Sequence, residues 1–217
     1  MHNIKEKQKS EETHSFLSHK SQFETILTIG NFQKFPINKT TEMNIIMINK
    51  KHRFLVESAL IAAAYTALTL AIYPLSYGAV QFRFSEVLTI LPVFTPAAIP
   101  GLTIGCFVAN ITGPYSWIDA IFGTTATFLA ALCTYYARKI RFKNIPFLSF
   151  FFPVIFNAVI IGLEINLFFL PQGEEFTFMG FLISALWVGL GELVVCYLLG
   201  TPVYVALSKT KLFPQVR

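Results

Sequence analysis

Seven polar residues stand inside otherwise apolar sequence: Arg83, Glu86, Asn110, Asp119, Asn157, Glu164 and Glu192. Acids outnumber bases among them. A carboxylate can accept paired N–H bonds from an amidine-like edge, or neutralise an ammonium group. The carboxamides of Asn110 and Asn157 both donate and accept, which suits a heterocycle carrying both functions. Charged side chains cost roughly 2.5–3.5 kcal/mol each at the middle of a bilayer, and they usually face a protein interior or a substrate path. The set points to a polar, flat small molecule, cationic or neutral. The competing reading is a group of internal ion pairs, Arg83–Glu86 for example, that holds a bundle together. Tyr73, Tyr77, Phe82, Tyr115 and Trp117 could stack on a planar ring, or could form an interfacial aromatic belt that looks the same in sequence. Trp187, on the same segment as Glu192, joins the substrate-binding candidates.

Cysteine and histidine exclude other chemistries. Cys106, Cys133 and Cys196 fall singly in apolar segments without CxxC spacing, so they read as small buried hydrophobes rather than metal ligands or disulfides. All four histidines lie at or before residue 52, which leaves no HExxH or Ser-His-Asp set in the apolar part. No GxxxxGK[ST] run occurs, so the chain carries no P-loop of its own. An intramembrane enzyme using Glu164 and Glu192 as paired carboxylates lacks any further supporting motif. The reading is of a protein that is not an enzyme, with no catalytic residue, metal or cofactor.

The elements that must position these residues are membrane helices. Hydrophobic residues make up 54% of the 217 and charged residues 13%, about half the share usual in soluble domains; mean hydropathy is +0.57. Charge is concentrated at the start, where residues 1–50 hold seven Lys and five Glu. The net charge of +5 therefore reflects topology rather than a nucleic-acid footprint. Residues 1–46 form a polar N-terminal extension, either a disordered tail or sequence ahead of a true initiator at Met43 or Met47. Residues 47–217 form the membrane domain.

Within that domain the apolar segments predict six spans: Phe54–Pro74, Phe84–Phe94, Ala97–Ile111, Trp117–Ala137, Pro146–Leu170 and Phe178–Leu207. The second and third are short, and Pro92, Pro96 and Pro100 imply a tight or re-entrant connection between them. Gly101, Gly105 and Ala109 form a small-residue ladder, and Ala59, Ala63, Ala67 and Ala71 form a second row at i+4 spacing; both suit close helix packing. Asn157 and Glu164 share one face, as do Ser184, Val188 and Glu192. Pro202 should kink the last span or end its regular part. Basic residues at 50–53, in the run RKIRFK (Arg138 to Lys143) and at Lys209 and Lys211 place both termini on the cytoplasmic side. In that frame the polar residues gather in the outer half of one bundle.

The run QFRFSEVLTILPVFTPAAIPGLTIGCFVANI resembles the signature region of the QueT family, and the likeness extends from about Lys51 to Lys211. The resemblance implies an all-α integral membrane protein with the six-transmembrane-helix bundle of an S component, N-in and C-in, in the plasma membrane. S components are the substrate-capture subunits of energy-coupling-factor (ECF) importers. Implied partners are a transmembrane coupling subunit and two ATP-binding subunits, with the row Ala59, Ala63, Ala67 and Ala71 as the docking face. The implied substrate is a queuosine precursor, a 7-deazaguanine such as 7-aminomethyl-7-deazaguanine or queuine. Glu164 and Glu192 would take its polar edge and amine, with Asn110, Asn157 and Arg83 orienting the ring. Alternatives are another vitamin or base as cargo, or a stand-alone proton-coupled secondary transporter.

Overall fold

The computed structural model describes residues 39–72, 83–114, 116–142, 145–170 and 174–210, with side chains from residue 49 onward and except at Ser116. Among these residues the regular structure is helical, apart from one isolated bridge between Phe142 and Ile145. Helix α1 is Lys39–Ala71, followed by a 3-10 helix at Phe84–Val93. Helices α2 (Ala98–Ile111), α3 (Ser116–Ala137) and α4 (Phe147–Phe168) come next. The last apolar segment runs without a break through α5 (Phe178–Leu193), a π-helical turn at Val194–Leu199 and α6 (Gly200–Lys209). Residues 51–217 group as one compact unit.

Four helical stretches are long and apolar enough to cross a membrane: Asn49–Ala71, Trp117–Ala137, Phe147–Phe168 and Phe178–Lys209. The protein is thus an all-α, multi-pass membrane protein. The second and third expected spans are shorter apolar helices. At about 2 Å of rise per residue the ten-residue 3-10 helix covers about 20 Å, less than a hydrocarbon core of about 30 Å. Helix α1 starts earlier than expected, so residues 39–46 of the polar extension are helical; the remainder of that extension lies outside the described residues.

Pro92 lies inside the 3-10 helix and has no N–H to donate to its ladder, and the Thr89 hydroxyl donates to the Glu86 carbonyl at 2.5 Å. With three residues per turn, side chains three apart eclipse one another. Glu86 and Thr89 therefore fall in one column, and both are buried, as is Arg83 just ahead of the helix.

Small residues set the packing. A Cβ added to Gly101 would meet the Ser58 carbonyl oxygen at 2.8 Å, and one on Gly105 would meet that of Ala62 at 2.8 Å. The expected ladder is thus where α2 presses on α1, and the contact is pinned by Ser58 Oγ donating to the Ala97 carbonyl and Thr66 Oγ1 to that of Gly105. The buried face of α1 is Ser58, Ile61, Tyr65 and Thr69. Ala59, Ala63, Ala67 and Ala71 lie off this face and are exposed. Gly162 meets Ala185 in the same intimate way, joining α4 to α5. In the last segment the irregularity falls just before Pro202. The wider π turn accommodates a ring that would otherwise crowd the preceding turn.

Candidate functional site

Every helical segment up to α5 brings a polar side chain to one buried cluster. Arg83 caps the 3-10 helix in an extended conformation and reaches the first turn of α3, where its Nη2 donates to Asp119 Oδ1 at 3.0 Å and Oδ2 at 2.9 Å. The two side chains are 5% and 0% exposed. Asn110, in the last turn of α2, donates through Nδ2 to the Asp119 backbone carbonyl at 2.9 Å. Gly123 sits one turn further along α3, and a Cβ there would collide with the Asn110 amide and lie 3.3 Å from Asp119 Oδ1. The Arg83–Asp119–Asn110 group can close only over a glycine.

The rest of the cluster is different in kind. Tyr65 of α1 donates to Glu86 Oε1, while Glu86 Oε2 has no hydrogen bond. Neither oxygen of Glu164 has a partner, although the residue is 1% exposed. Asn157, two turns before Glu164 on the same face of α4, is a hydrogen-bonding neighbour of Glu86 and Glu192, although its Nδ2 meets neither in full hydrogen-bond geometry. Glu192 of α5 is approached by the Cys196 thiol at 3.7 Å, a weak donor. Arg83 is within reach of Glu86, Glu164 and Glu192 as well as its own partner. Buried polar atoms are nearly always hydrogen-bonded, so this orphaned set distinguishes the region from the rest of the interior.

Among the described residues no three His, Cys, Asp or Glu side chains are grouped as metal ligands. The three cysteines are unpaired thiols, with Cys106 and Cys196 buried.

A family model described as QueT transporter matches residues 55–209. The chain belongs to the QueT transporter family. A curated relative, the Queuosine precursor transporter QueT of Lactococcus lactis subsp. cremoris (strain MG1363), is 32% identical over 127 residues, covering 54% of this chain and 74% of that protein. No solved structure matches. The QueT-matched region contains the whole cluster, from Tyr65 to Glu192, and the exposed alanine row.

Within this QueT-family bundle the structure sorts the candidates. Arg83, Glu86, Asn110, Asp119, Asn157, Glu164 and Glu192 are all buried, between 0% and 5% exposed. Trp187 is 53% exposed on the outward face of α5 and does not join them; its neighbour in the helical row, Val188, is the residue that turns inward. Arg83 pairs with Asp119 and not with Glu86, whose Oε1 accepts from the Tyr65 hydroxyl. Trp117 is 64% exposed, and Tyr73, Tyr77, Phe82 and Tyr115 lie outside the described residues. Tyr65 and Gly123 were missed by sequence reasoning. Tyr65 has a signal, since it continues the inward row Ser58, Ile61 and Thr69 opposite the alanines. Gly123 has none, because a glycine in a membrane helix looks the same whether it faces lipid or an amide.

Proposed function

We propose that this chain is the substrate-capture subunit of an ECF-type importer and binds a queuosine precursor, a 7-deazaguanine such as 7-aminomethyl-7-deazaguanine or queuine. The observation that carries the reading is Glu164, buried with both oxygens unpartnered inside a QueT-family bundle. Its carboxylate would accept the N–H donors of the purine-like edge or the aminomethyl cation. Glu86 Oε2, Asn157 and Glu192 would take the remaining polar functions, while Arg83, Asp119 and Asn110 hold the frame. The relative's name supplies the substrate class.

In this reading the helical segments make six crossings with both termini cytoplasmic, the two short apolar helices forming a thin pair within the plasma membrane. Substrate enters from outside. The exposed row Ala59, Ala63, Ala67 and Ala71 docks on a transmembrane coupling subunit, whose two ATP-binding partners power release inward. No nucleic acid, metal or resident cofactor takes part.

Purified protein in detergent, titrated with 7-deazaguanines beside thiamine, riboflavin and biotin, tests the cargo. The expected result is tight, ATP-independent binding of a 7-deazaguanine, lost in Glu164→Gln. Binding of a vitamin instead would reassign the substrate. Uptake by this chain alone, without ATP-binding partners, would favour a proton-coupled carrier, for which unpartnered buried carboxylates are also suited.

A further inference from the structure

Two helical segments lose their regular hydrogen bonding at one level of the bundle. In α4 the break is Pro153, buried and without an N–H for the Ser149 carbonyl one turn earlier. Thr134 of α3 takes that carbonyl through Oγ1 at 3.0 Å, and Ser149 Oγ donates back to the Thr134 carbonyl at 3.4 Å. Both residues are wholly buried. In the last segment the break is the π turn Val194–Leu199. Its Tyr197 reaches the first turn of α4, donating through Oη to the Phe147 carbonyl at 2.9 Å, with its ring 5.5 Å from that of Phe150. Prolines and π turns are the usual places where helices bend.

Beyond that level, towards Phe168 and Phe178, α4 and α5 are locked together. Ala158, Gly162 and Asn166 recur every fourth residue of α4, and each meets α5 closely. A Cβ on Gly189 would lie 3.2 Å from that of Ala158, one on Gly162 2.8 Å from the Ala185 backbone, and one on Gly180 2.5 Å from the Asn166 carboxamide. Backbones this close hold the two helices as one body.

The seam between this hairpin and α3 is pinned at one end and unfilled at the other. Among the described residues no hydrogen bond joins α3 to α4 apart from the Thr134–Ser149 pair. Roughly 18 Å further along α3, at about 1.5 Å of rise per residue from Thr134 to Phe122, the helices part. A groove of about 230 Å3 lies there between Ile121, Phe122 and Thr125 of α3 and Val159, Ile160 and Leu163 of α4. The rings of Phe122 and Phe168 meet edge to face beside it, 5.6 Å apart. Glu164 comes directly after the lining residue Leu163. Both its oxygens are unpartnered, and it lies within electrostatic reach of a like charge across the seam, Asp119.

We propose that the α4–α5 hairpin is the gate of the polar cluster, swinging away from α3 about a hinge formed by Pro153 and the π turn. For what passes the gate the inference rests on the cargo site proposed above; for the motion it rests on the geometry alone. Closure without cargo leaves the Glu164 carboxyl dry and unmet, a cost that opening relieves by admitting water. Cargo supplies the missing partners and so favours the closed form.

Pulsed electron paramagnetic resonance on the full-length protein tests the motion. Spin labels on Ile121 and Val159, exposed on opposite walls of the groove, report the seam, and labels on Val159 and Leu186, both exposed, report the hairpin itself. A Cys133→Ala background removes the native thiol that is not buried. Cargo-free protein should show a longer distance component across the seam and a single distance within the hairpin. Pro153→Ala, which gives Ser149 back its helical donor, should remove the longer component, and so should saturating 7-aminomethyl-7-deazaguanine. Should Pro153→Ala fail to fold, the two label pairs in the parent protein still decide. Failure of the deazaguanine to bind would sink the cargo reading, while the cargo-free distances settle the hinge. One narrow distance across the seam, an equal spread in both label pairs, or a longer component that survives Pro153→Ala would each overturn the proposal.

Discussion

The buried cluster has two halves that are equally dry and very unequally satisfied. In one, Arg83, Asp119 and Asn110 meet at 2.9–3.0 Å and are closed over by Gly123. In the other, both oxygens of Glu164, Asn157 Nδ2 and one oxygen of Glu86 make no full hydrogen bond. On the proposed reading burial does not separate frame from site; the number of unmet hydrogen-bonding atoms does. The first half is held together without a ligand, with Asn110 Oδ1 its one unpartnered atom, so its removal should cost stability. The second half is unfinished, so its neutral isosteres should cost binding and leave the fold alone.

The largest effect expected is from breaking the pair. Arg83→Met strands a buried Asp119 and should lower unfolding stability by about 3–5 kcal/mol, measured by denaturant titration in mixed micelles. The double change Arg83→Met with Asp119→Leu should recover most of that loss, since replacing both charges by apolar groups is often neutral. A wild-type melting curve for Arg83→Met alone would erase the distinction between the halves. Next comes Glu164→Gln. It should weaken substrate binding by about 10–100-fold, the worth of a hydrogen bond to a charged group, with a thermal midpoint unchanged or raised. A fall in midpoint without a fall in affinity would place Glu164 in the frame instead.

Gly123→Ala sharpens the comparison from the packing side. The new Cβ would push into the Asn110 amide, so a loss of about 1–3 kcal/mol is expected, typical of overpacking. Substrate affinity should fall only as far as Arg83 is displaced, and a variant with native stability would mean that Asn110 has room to move. The smallest effect belongs to Tyr65→Phe, which touches the border of the two halves. Removing the hydroxyl frees Glu86 Oε1 and should cost about 0.5–1.5 kcal/mol. If affinity then rises, because Glu86 has a second oxygen to offer the ligand, Tyr65 is a competitor rather than a support.

Much of this arrangement was legible beforehand, for reasons that can be traced to particular residues. Asn157 and Glu164 lie two turns apart, so any helix through them puts both on one face, and both are buried. Gly101 and Gly105 had to mark a close crossing, because nothing else in an apolar helix is gained by losing side chains; they press on Ser58 and Ala62. The 3-10 form of the Phe84–Val93 segment was not legible. Pro92 warned of irregularity, yet a missing N–H does not by itself say whether a helix tightens or breaks.

The sequence by itself determined that this is a helical membrane protein, where its apolar segments run, and which polar residues had to be sheltered. Those follow from periodicity and from the cost of charge in hydrocarbon, which act along the chain. Only the tertiary structure decided that Arg83 belongs to Asp119, that Tyr65 takes half of Glu86, that Trp187 faces outward and that Glu164 is left waiting. Pairing is a matter of which helix stands opposite which and at what depth. That information resides in the packing between segments, and no single segment contains it.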